Sequence, residues 1–390
     1  MTTADLRGNI RRFYLFKALE GVSFFAPIIV LFWQENGLSM TKVMLLQSFF
    51  SLVMILLDIP TGYLADVFGR KKALLCSGAF LTAAPVIYSL GHSFGVFLAA
   101  ELCWGVGLSL ISGADAAMLY DTLTELGEES RFPEIWGRAL FYSGMSMMAS
   151  QFVGGIIGAH EYRWTLYACI PFMILVMPVA LGLREPRRHQ QAQLQTANLR
   201  AALGYIVAHQ KLRWLILYAG VTFGFFNAAL WLYQPYFKLT GLSVIYFGAV
   251  FAGFQGLSAL VGKYAHRIEK RLGQRLSLLM LVLLTGTGYL LMANILFRLS
   301  FCLIALHQFA RGFHKVIVSD YINKHARSDI RATVLSAQSM AGRLVYAAII
   351  PVAGWITDAY SLVQALTVLG VTTLIVGSAL FLVLRQQEAI

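Results

Sequence analysis

The segment Asp58-Ile59-Pro60-Thr61-Gly62-Tyr63-Leu64-Ala65-Asp66-Val67-Phe68-Gly69-Arg70-Lys71-Lys72 decides how the rest of the chain is read. One apolar run, 43–57, drives into it and a second, 73–90, leaves it. Two helices long enough to cross a bilayer, joined by so short a basic turn, make a hairpin whose turn faces the cytoplasm. Gly62 and Gly69 permit close backbone approach and a tight turn. Asp66 can accept hydrogen bonds from the N-terminus of a neighbouring helix. Arg70, Lys71 and Lys72 resist transfer across the bilayer and anchor the turn.

Composition extends this reading to the whole chain. Of 390 residues, 58% are apolar and 13% charged, and mean hydropathy is +0.67. A soluble domain carries about 25% charged residues, so a polytopic membrane protein is expected. The net charge of +12 would suit a nucleic-acid partner, but its placement argues otherwise. Lys42, Arg163, Lys238 and Arg298 fall on one side, and Lys17, Arg311, Lys315 and Arg343 lie inside apolar segments. The remaining Lys and Arg collect at the two termini and in alternate connections, which is the positive-inside pattern with both ends cytoplasmic. The bilayer is the expected surroundings, and no basic soluble segment is left for nucleic acid. Cys76, Cys103, Cys169 and Cys302 stand singly in apolar segments, without metal-ligand or pairing spacing. No metal and no cofactor is expected.

Twelve helix-length apolar runs follow one another, among them 13–34, 41–65, 94–122, 243–268, 273–294 and 298–322. The single long polar break, Arg184 to Arg213, splits them into an N-terminal bundle, 1–185, a linker, 186–210, and a C-terminal bundle, 211–390. In the linker, Leu199, Leu203, Ile206 and Val207 recur at helical spacing, which predicts a short amphipathic helix on the membrane surface. The halves echo each other. Gly262-Lys263-Tyr264-Ala265-His266 lies 200 positions after Gly62-Tyr63-Leu64-Ala65-Asp66, and Lys270, Arg271 and Arg275 flank Gly273.

The spacing Gly62-x-x-x-Asp66-x-x-Gly69-Arg70-Lys71-Lys72 resembles the loop 2–3 signature of the major facilitator superfamily. The resemblance implies an all-α membrane protein of twelve transmembrane helices in two pseudo-symmetric six-helix bundles. It also implies a substrate site near mid-membrane. Gly62, Asp66, Gly69, Arg70 and Lys71 then form a gating motif, joined by Asp121 at the end of the fourth span, where an Asp121–Arg70 pair would hold the cytoplasmic side shut.

An ionisable side chain inside a span costs about 3 kcal/mol on insertion scales and is a functional candidate by default. Glu20, Asp58, Glu101 and Asp115 are the candidates for proton coupling. Lys17 and Glu20, spaced i, i+3, can neutralise each other. Asp115 has no cation at i±3 or i±4, so it reads as a lone carboxylate able to load and release a proton, sharing one helix with Glu101. His307, Arg311 and His314, at i, i+4 and i+7, put cationic or protonatable groups on one face of the tenth span. That face suits a substrate carboxylate or phosphate, or a pairing with Asp115 across the cavity. Arg343 could do the same or pair with Asp358. Asn227, Trp231 and Gln234 form a mixed polar and aromatic face suited to a cavity, and Lys17 is a further substrate-binding candidate.

Two departures weaken a drug-antiporter assignment. Where such exporters carry an arginine on helix 4, Glu101 stands here in Glu101-x-x-x-Gly105. Helix 5 reads Ser150-Gln151-Phe152-Val153-Gly154-Gly155, with no Gly-Pro pair. The chain is also similar to a loose set of prokaryotic efflux permeases. The expectation is a monomeric secondary transporter of a small organic solute in the inner membrane. It would be proton-coupled and work by alternating access, with export ahead of import. Proton-driven import of an anionic or metal-chelating solute is the alternative. No Gly-x-x-x-x-Gly-Lys-Ser/Thr motif provides for ATP, and neither a catalytic constellation nor a fixed pore is suggested.

Overall fold

A computed structural model of the chain describes residues 3–186, 204–327 and 330–387, and every regular element among them is helical. The helices are α1 (Thr3–Glu20), α2 (Ile29–Glu35), α3 (Met40–Phe68), α4 (Arg70–Leu90), α5 (Phe94–Ser112), α6 (Asp115–Leu126), α7 (Phe132–Gly158) and α8 (Tyr162–Gly182). After the five-residue α9 (204–208) come α10 (Gln210–Leu239), α11 (Phe247–Asn294), α12 (Ala305–His325), α13 (Arg331–Ala359) and α14 (Leu362–Gln386). Nine helical stretches among the described residues are long and apolar enough to cross a membrane. Large apolar side chains stay exposed on their flanks, including Leu56, Leu90 and Ile375. In water such a surface would be a liability, whereas in lipid it is the normal exterior.

Several predicted spans are broken, each for a visible reason. The run 13–34 is two helices separated by 21–28. There α7 comes so close that a Cβ on Gly21 would lie 2.4 Å from the Ser143 carbonyl oxygen, and the Ser23 N–H donates to Ser150 Oγ at 2.8 Å. The run 94–122 breaks at Gly113 and Ala114, so Glu101 and Asp115 sit on different helices, α5 and α6. At that break α3 passes in backbone contact, and a Cβ on Gly113 would lie 2.9 Å from Gly62 Cα. Conversely, α11 spans 48 residues but carries a non-helical residue, Gly273 (φ 73°, ψ 168°).

Gly69, between α3 and α4, also has positive φ (115°, ψ 139°). The sequence echo between the halves is therefore a backbone echo as well, since each basic turn is made by one glycine in a region closed to other residues. Gly69 follows Gly62 by seven positions and Gly273 follows Gly262 by eleven. The difference is close to one helical turn, so both turns leave their helices on nearly the same face.

The chain folds as two compact units. The first comprises Met1–Gly37, Leu52–Gln193 and Val244–Ala252, and the second Leu38–Ser51, Leu194–Ser243 and Gly253–Ile390. In the first, α4 packs on α5 and α8, and α1 on α7 and α8, around Phe16, Leu74, Leu81, Ile111, Met118 and Met173. In the second, α10 packs on α12, α13 and α14, around Leu215, Tyr218, Leu281, Phe313 and Ile317. The start of α3 belongs to this second unit, where Ser48 Oγ donates to the Ala347 carbonyl at 2.8 Å and Ser51 Oγ to that of Arg343 at 3.2 Å. Of the predicted amphipathic helix, Leu199 and Leu203 lie outside the described residues. Ile206 is buried in the second unit's core and Val207 is exposed.

Candidate functional site

The basic turn builds an ion network from three helices of the first unit. Gly69 ends α3 and lets α4 start at once with Arg70. The Arg70 guanidinium forms a close ion pair with Asp121 on α6 and lies 3.8 Å from Asp66 on α3. It also donates to the Ala117 carbonyl at 2.5 Å. The pair expected between Asp121 and Arg70 is thus in place. One partner had no counterpart in the sequence reading. Glu185, just beyond α8, accepts hydrogen bonds from the Arg70 and Lys71 backbone N–H groups, both at 2.9 Å. A carboxylate there satisfies two N–H groups that α4 leaves open and meets the positive end of its dipole. The available signal was an acid at the end of a span beside a basic turn.

Deeper in the same unit, the reading of Asp115 as a lone carboxylate is overturned. Lys17 Nζ lies 3.1 Å from Asp115 Oδ2 and 2.6 Å from Glu20 Oε2. All three side chains are mostly buried, at 7% (Lys17), 9% (Asp115) and 16% (Glu20) exposure. Sequence spacing could not find the Asp115 partner, because 98 positions separate it from Lys17. The break before α6 makes the encounter possible. Asp115 becomes the first residue of a new helix, its Oδ1 accepting from the Ala116 N–H at 2.6 Å while Oδ2 reaches Lys17. The Trp136 ring lies 5.9 Å from the Lys17 ammonium, a cation–π distance. The cluster brings one ammonium against two carboxyl groups, so with both acids ionised it would carry one surplus negative charge.

The other proton-coupling candidates are placed differently. Glu101 is buried on α5 beside the Tyr88 hydroxyl, and the Tyr88 ring packs in turn against those of Trp33 and Phe97. Asp58 is part-buried on α3, with Ser112 Oγ 3.5 Å from its Oδ1.

In the second unit, α12 does not present three equivalent cationic groups. His307 and His314 are 1% and 2% exposed. Their Nε2 atoms lie 3.0 Å from the Thr285 carbonyl and 3.2 Å from the Ala219 carbonyl. A carbonyl can only accept, so both Nε2 atoms carry hydrogen and donate. Aromatic rings close around them, Tyr289 and Tyr233 about His307 and Phe226 and Phe223 about His314. As substrate ligands these histidines are corrected to packing groups, and Arg311, part-buried between them, remains. On α10, Asn227 donates to its own helix at Phe223 (3.0 Å), Trp231 donates to the Tyr346 hydroxyl, and Gln234 is buried. Arg343 does not pair with Asp358, which lies four helical turns away and bonds instead to Met40 and Thr41.

With this arrangement in view, likeness to known proteins can be placed. The profile describing the Major Facilitator Superfamily matches residues 18–349. The chain belongs to the Major Facilitator Superfamily. It is therefore a multi-pass membrane protein of a transporter family, not an enzyme. It is 24% identical over 358 residues to the uncharacterized MFS-type transporter YxaM of Bacillus subtilis (strain 168), covering 85% of each chain. It is 21% identical over 186 residues to the quinolone resistance protein NorA of Staphylococcus aureus (strain MRSA252), covering 47% of this chain and 46% of NorA. Among solved structures, a variant of the nucleoside transporter NupG superposes with a TM-score of 0.84 at 11% identity, covering 97% of this chain and 99% of that one. A bacterial homolog of the human lysosomal transporter Spinster gives 0.75 at 14% identity, covering 99% and 98%. At such identities the structural likeness speaks for the superfamily fold.

Proposed function

We propose that the chain is a secondary active transporter of a small organic solute, working by alternating access with protons as the coupling ion. The observation that carries this is the Lys17–Glu20–Asp115 cluster. Two carboxylates on one buried ammonium leave a negative charge that a proton can cancel. Asp115 can take that proton without stranding Lys17, because Glu20 still holds it. A group whose charge changes while its surroundings stay satisfied suits a coupling site better than an isolated acid, which is costly in its charged state. Glu101 and Asp58 are the remaining candidates.

Twelve crossings in two six-helix bundles, 1–185 and 211–390, fit the helices if α1 with α2 and α5 with α6 each count as one bent span and α11 as two. A rigid stretch of 48 residues would run about 70 Å, far beyond a bilayer core of about 30 Å. The basic turns favour termini on the cytoplasmic side of an inner membrane. The Arg70–Asp121 pair, with Asp66, Gly62, Lys71 and the Glu185 cap, is the cytoplasmic gate. Export is favoured by the partial similarity to a quinolone resistance protein, and the molecule works as a monomer.

The test uses purified protein in proteoliposomes with an internal pH dye and an imposed pH gradient. A transported solute discharges the gradient in wild type and not in Asp115→Asn, while solute exchange without a gradient survives the substitution. Gradient-driven accumulation that persists in Asp115→Asn, Glu20→Gln, Glu101→Gln and Asp58→Asn alike would sink proton coupling through an acidic side chain.

A further inference from the structure

The second unit holds a part-buried cation, Arg311, that no counter-charge among the described residues reaches. Its acidic residues are Glu269, Asp320, Asp329, Asp358 and Glu388, with none between Glu269 and Asp320. Asp329 and Glu388 lie outside the described residues. Glu269 accepts from the Tyr321 hydroxyl at 2.9 Å, Asp320 pairs with Lys324 at 2.7 Å, and Asp358 is occupied by Met40 and Thr41. Among the described residues no carboxylate and no hydrogen-bond acceptor reaches the Arg311 guanidinium, and its one electrostatic neighbour is the Tyr233 hydroxyl. Arg311 nevertheless sits two turns into α12, part-buried, where an uncompensated charge is costly.

Its surroundings hold polar groups that packing does not use up. Gln308, one turn earlier on the same face and 4% exposed, gives a hydrogen bond to the Tyr233 oxygen. Its own Oε1 is buried with no partner among the described residues. A guanidinium offers a planar fork of donors matched to carboxylate, sulfonate or phosphate oxygens. An unused amide oxygen beside it can accept from a hydroxyl or N–H next to that anionic group.

We infer that Arg311, with Gln308 and Tyr233, forms an anion subsite in the second unit, and that the solute carries a carboxylate, sulfonate or phosphate group. The solute part of this inference rests on the transporter reading above, whereas anion binding can be measured without transport. His307 and His314 hold α12 in register on either side, so the subsite is set by packing rather than by a flexible loop.

The experiment uses the full-length protein in detergent. Thermal melting and equilibrium dialysis are followed with benzoate, citrate, benzenesulfonate and phenyl phosphate. Benzamide and benzyl alcohol are the uncharged counterparts, and chloride and inorganic phosphate the bare anions. At least one organic anion raises the melting temperature of wild type, and its uncharged counterpart does not. Its affinity falls about tenfold or more in Arg311→Ala, as expected for losing charge-assisted hydrogen bonds, and falls less in Arg311→Lys. Without ligand, Arg311→Leu melts above wild type, because it removes an uncompensated charge.

The inference is overturned if no organic anion stabilises the protein, if only chloride or inorganic phosphate does, or if Arg311→Ala binds like wild type. It is also overturned if Arg311→Leu melts below wild type, which would reveal a structural partner. Melting in phosphatidylcholine nanodiscs with and without phosphatidylglycerol separates a lipid headgroup from a solute. An Arg311-dependent response to phosphatidylglycerol alone counts against the inference. Failure of proteoliposome flux with anion binding intact would instead remove the transporter reading.

Discussion

Asp358, at the end of α13, caps the start of α3 through Thr41: its Oδ2 accepts from the Thr41 N–H at 2.7 Å and from the Thr41 hydroxyl at 2.5 Å. Oδ1 accepts from the Met40 N–H at 2.9 Å. One carboxylate thus satisfies two backbone donors that α3 cannot use internally. A Cβ on Gly354, one turn earlier, would fall 2.7 Å from the Met40 carbonyl oxygen, so the two helix ends meet at backbone distance. Asp358→Ala should cost about 1–2 kcal/mol, the usual worth of an N-terminal cap. Thr41→Val, which keeps the backbone N–H, should cost less. Chemical denaturation of both variants checks the order, and equal losses would make the hydroxyl the dominant contact.

Glu185 provides a second cap of the same kind, on the other side of the hairpin turn. Glu185→Ala should speed amide hydrogen exchange at Arg70 and Lys71 selectively, with a loss of about 1 kcal/mol. Glu185→Gln should fall between, since an amide oxygen accepts the hydrogen bonds but leaves the helix dipole unanswered. Unchanged exchange at both amides would show that the cap contributes nothing to α4.

The Arg70–Asp121 pair is only part-exposed, at 19% for each side chain. A double-mutant cycle with Arg70→Ala and Asp121→Ala should return a coupling of about 1 kcal/mol or more. Both single variants should slow net transport while solute binding in detergent survives. Loss of binding in either, with normal expression, would move the pair from gate to substrate site.

Lys17 answers to two carboxylates, so its removal should hurt more than that of either acid. Lys17→Met leaves Glu20 and Asp115 side by side and uncompensated, with an expected loss of about 3–5 kcal/mol. Adding Glu20→Gln and Asp115→Asn to Lys17→Met should recover most of that stability, because no buried charge remains. Thermal melts of wild type, Lys17→Met, Glu20→Gln, Asp115→Asn and the triple variant decide it. A Lys17→Met protein as stable as wild type would mean that hydration or proton uptake, not Lys17, compensates the carboxylates.

What could be read without coordinates follows from range in sequence. The hairpin at Gly69 and the i, i+3 pair Lys17–Glu20 rest on a short motif and on local spacing, and the Arg70–Asp121 partnership on both residues lying at the cytoplasmic ends of their spans. Asp115 was misread because Lys17 lies on another helix and because an unbroken apolar run hides the bend at Gly113. Apolar periodicity reports how many residues can enter a membrane, and is blind to where a neighbouring backbone forces a helix to stop. His307 and His314 were misread for a related reason. Their spacing marks a common face but not what that face packs against, and the carbonyls of Thr285 and Ala219 belong to distant segments.

The single-residue turn at Gly69 also bears on how the protein enters its membrane. With only Gly69 between α3 and α4, the exit of the first helix and the entry of the second are set by one residue, so the hairpin depends on the backbone that this residue can adopt. Replacing Gly69 by a β-branched residue would act at the translocon, before any solute is met. Its first symptom would be a half-inserted chain marked for degradation, with few copies reaching the membrane to be assayed for transport.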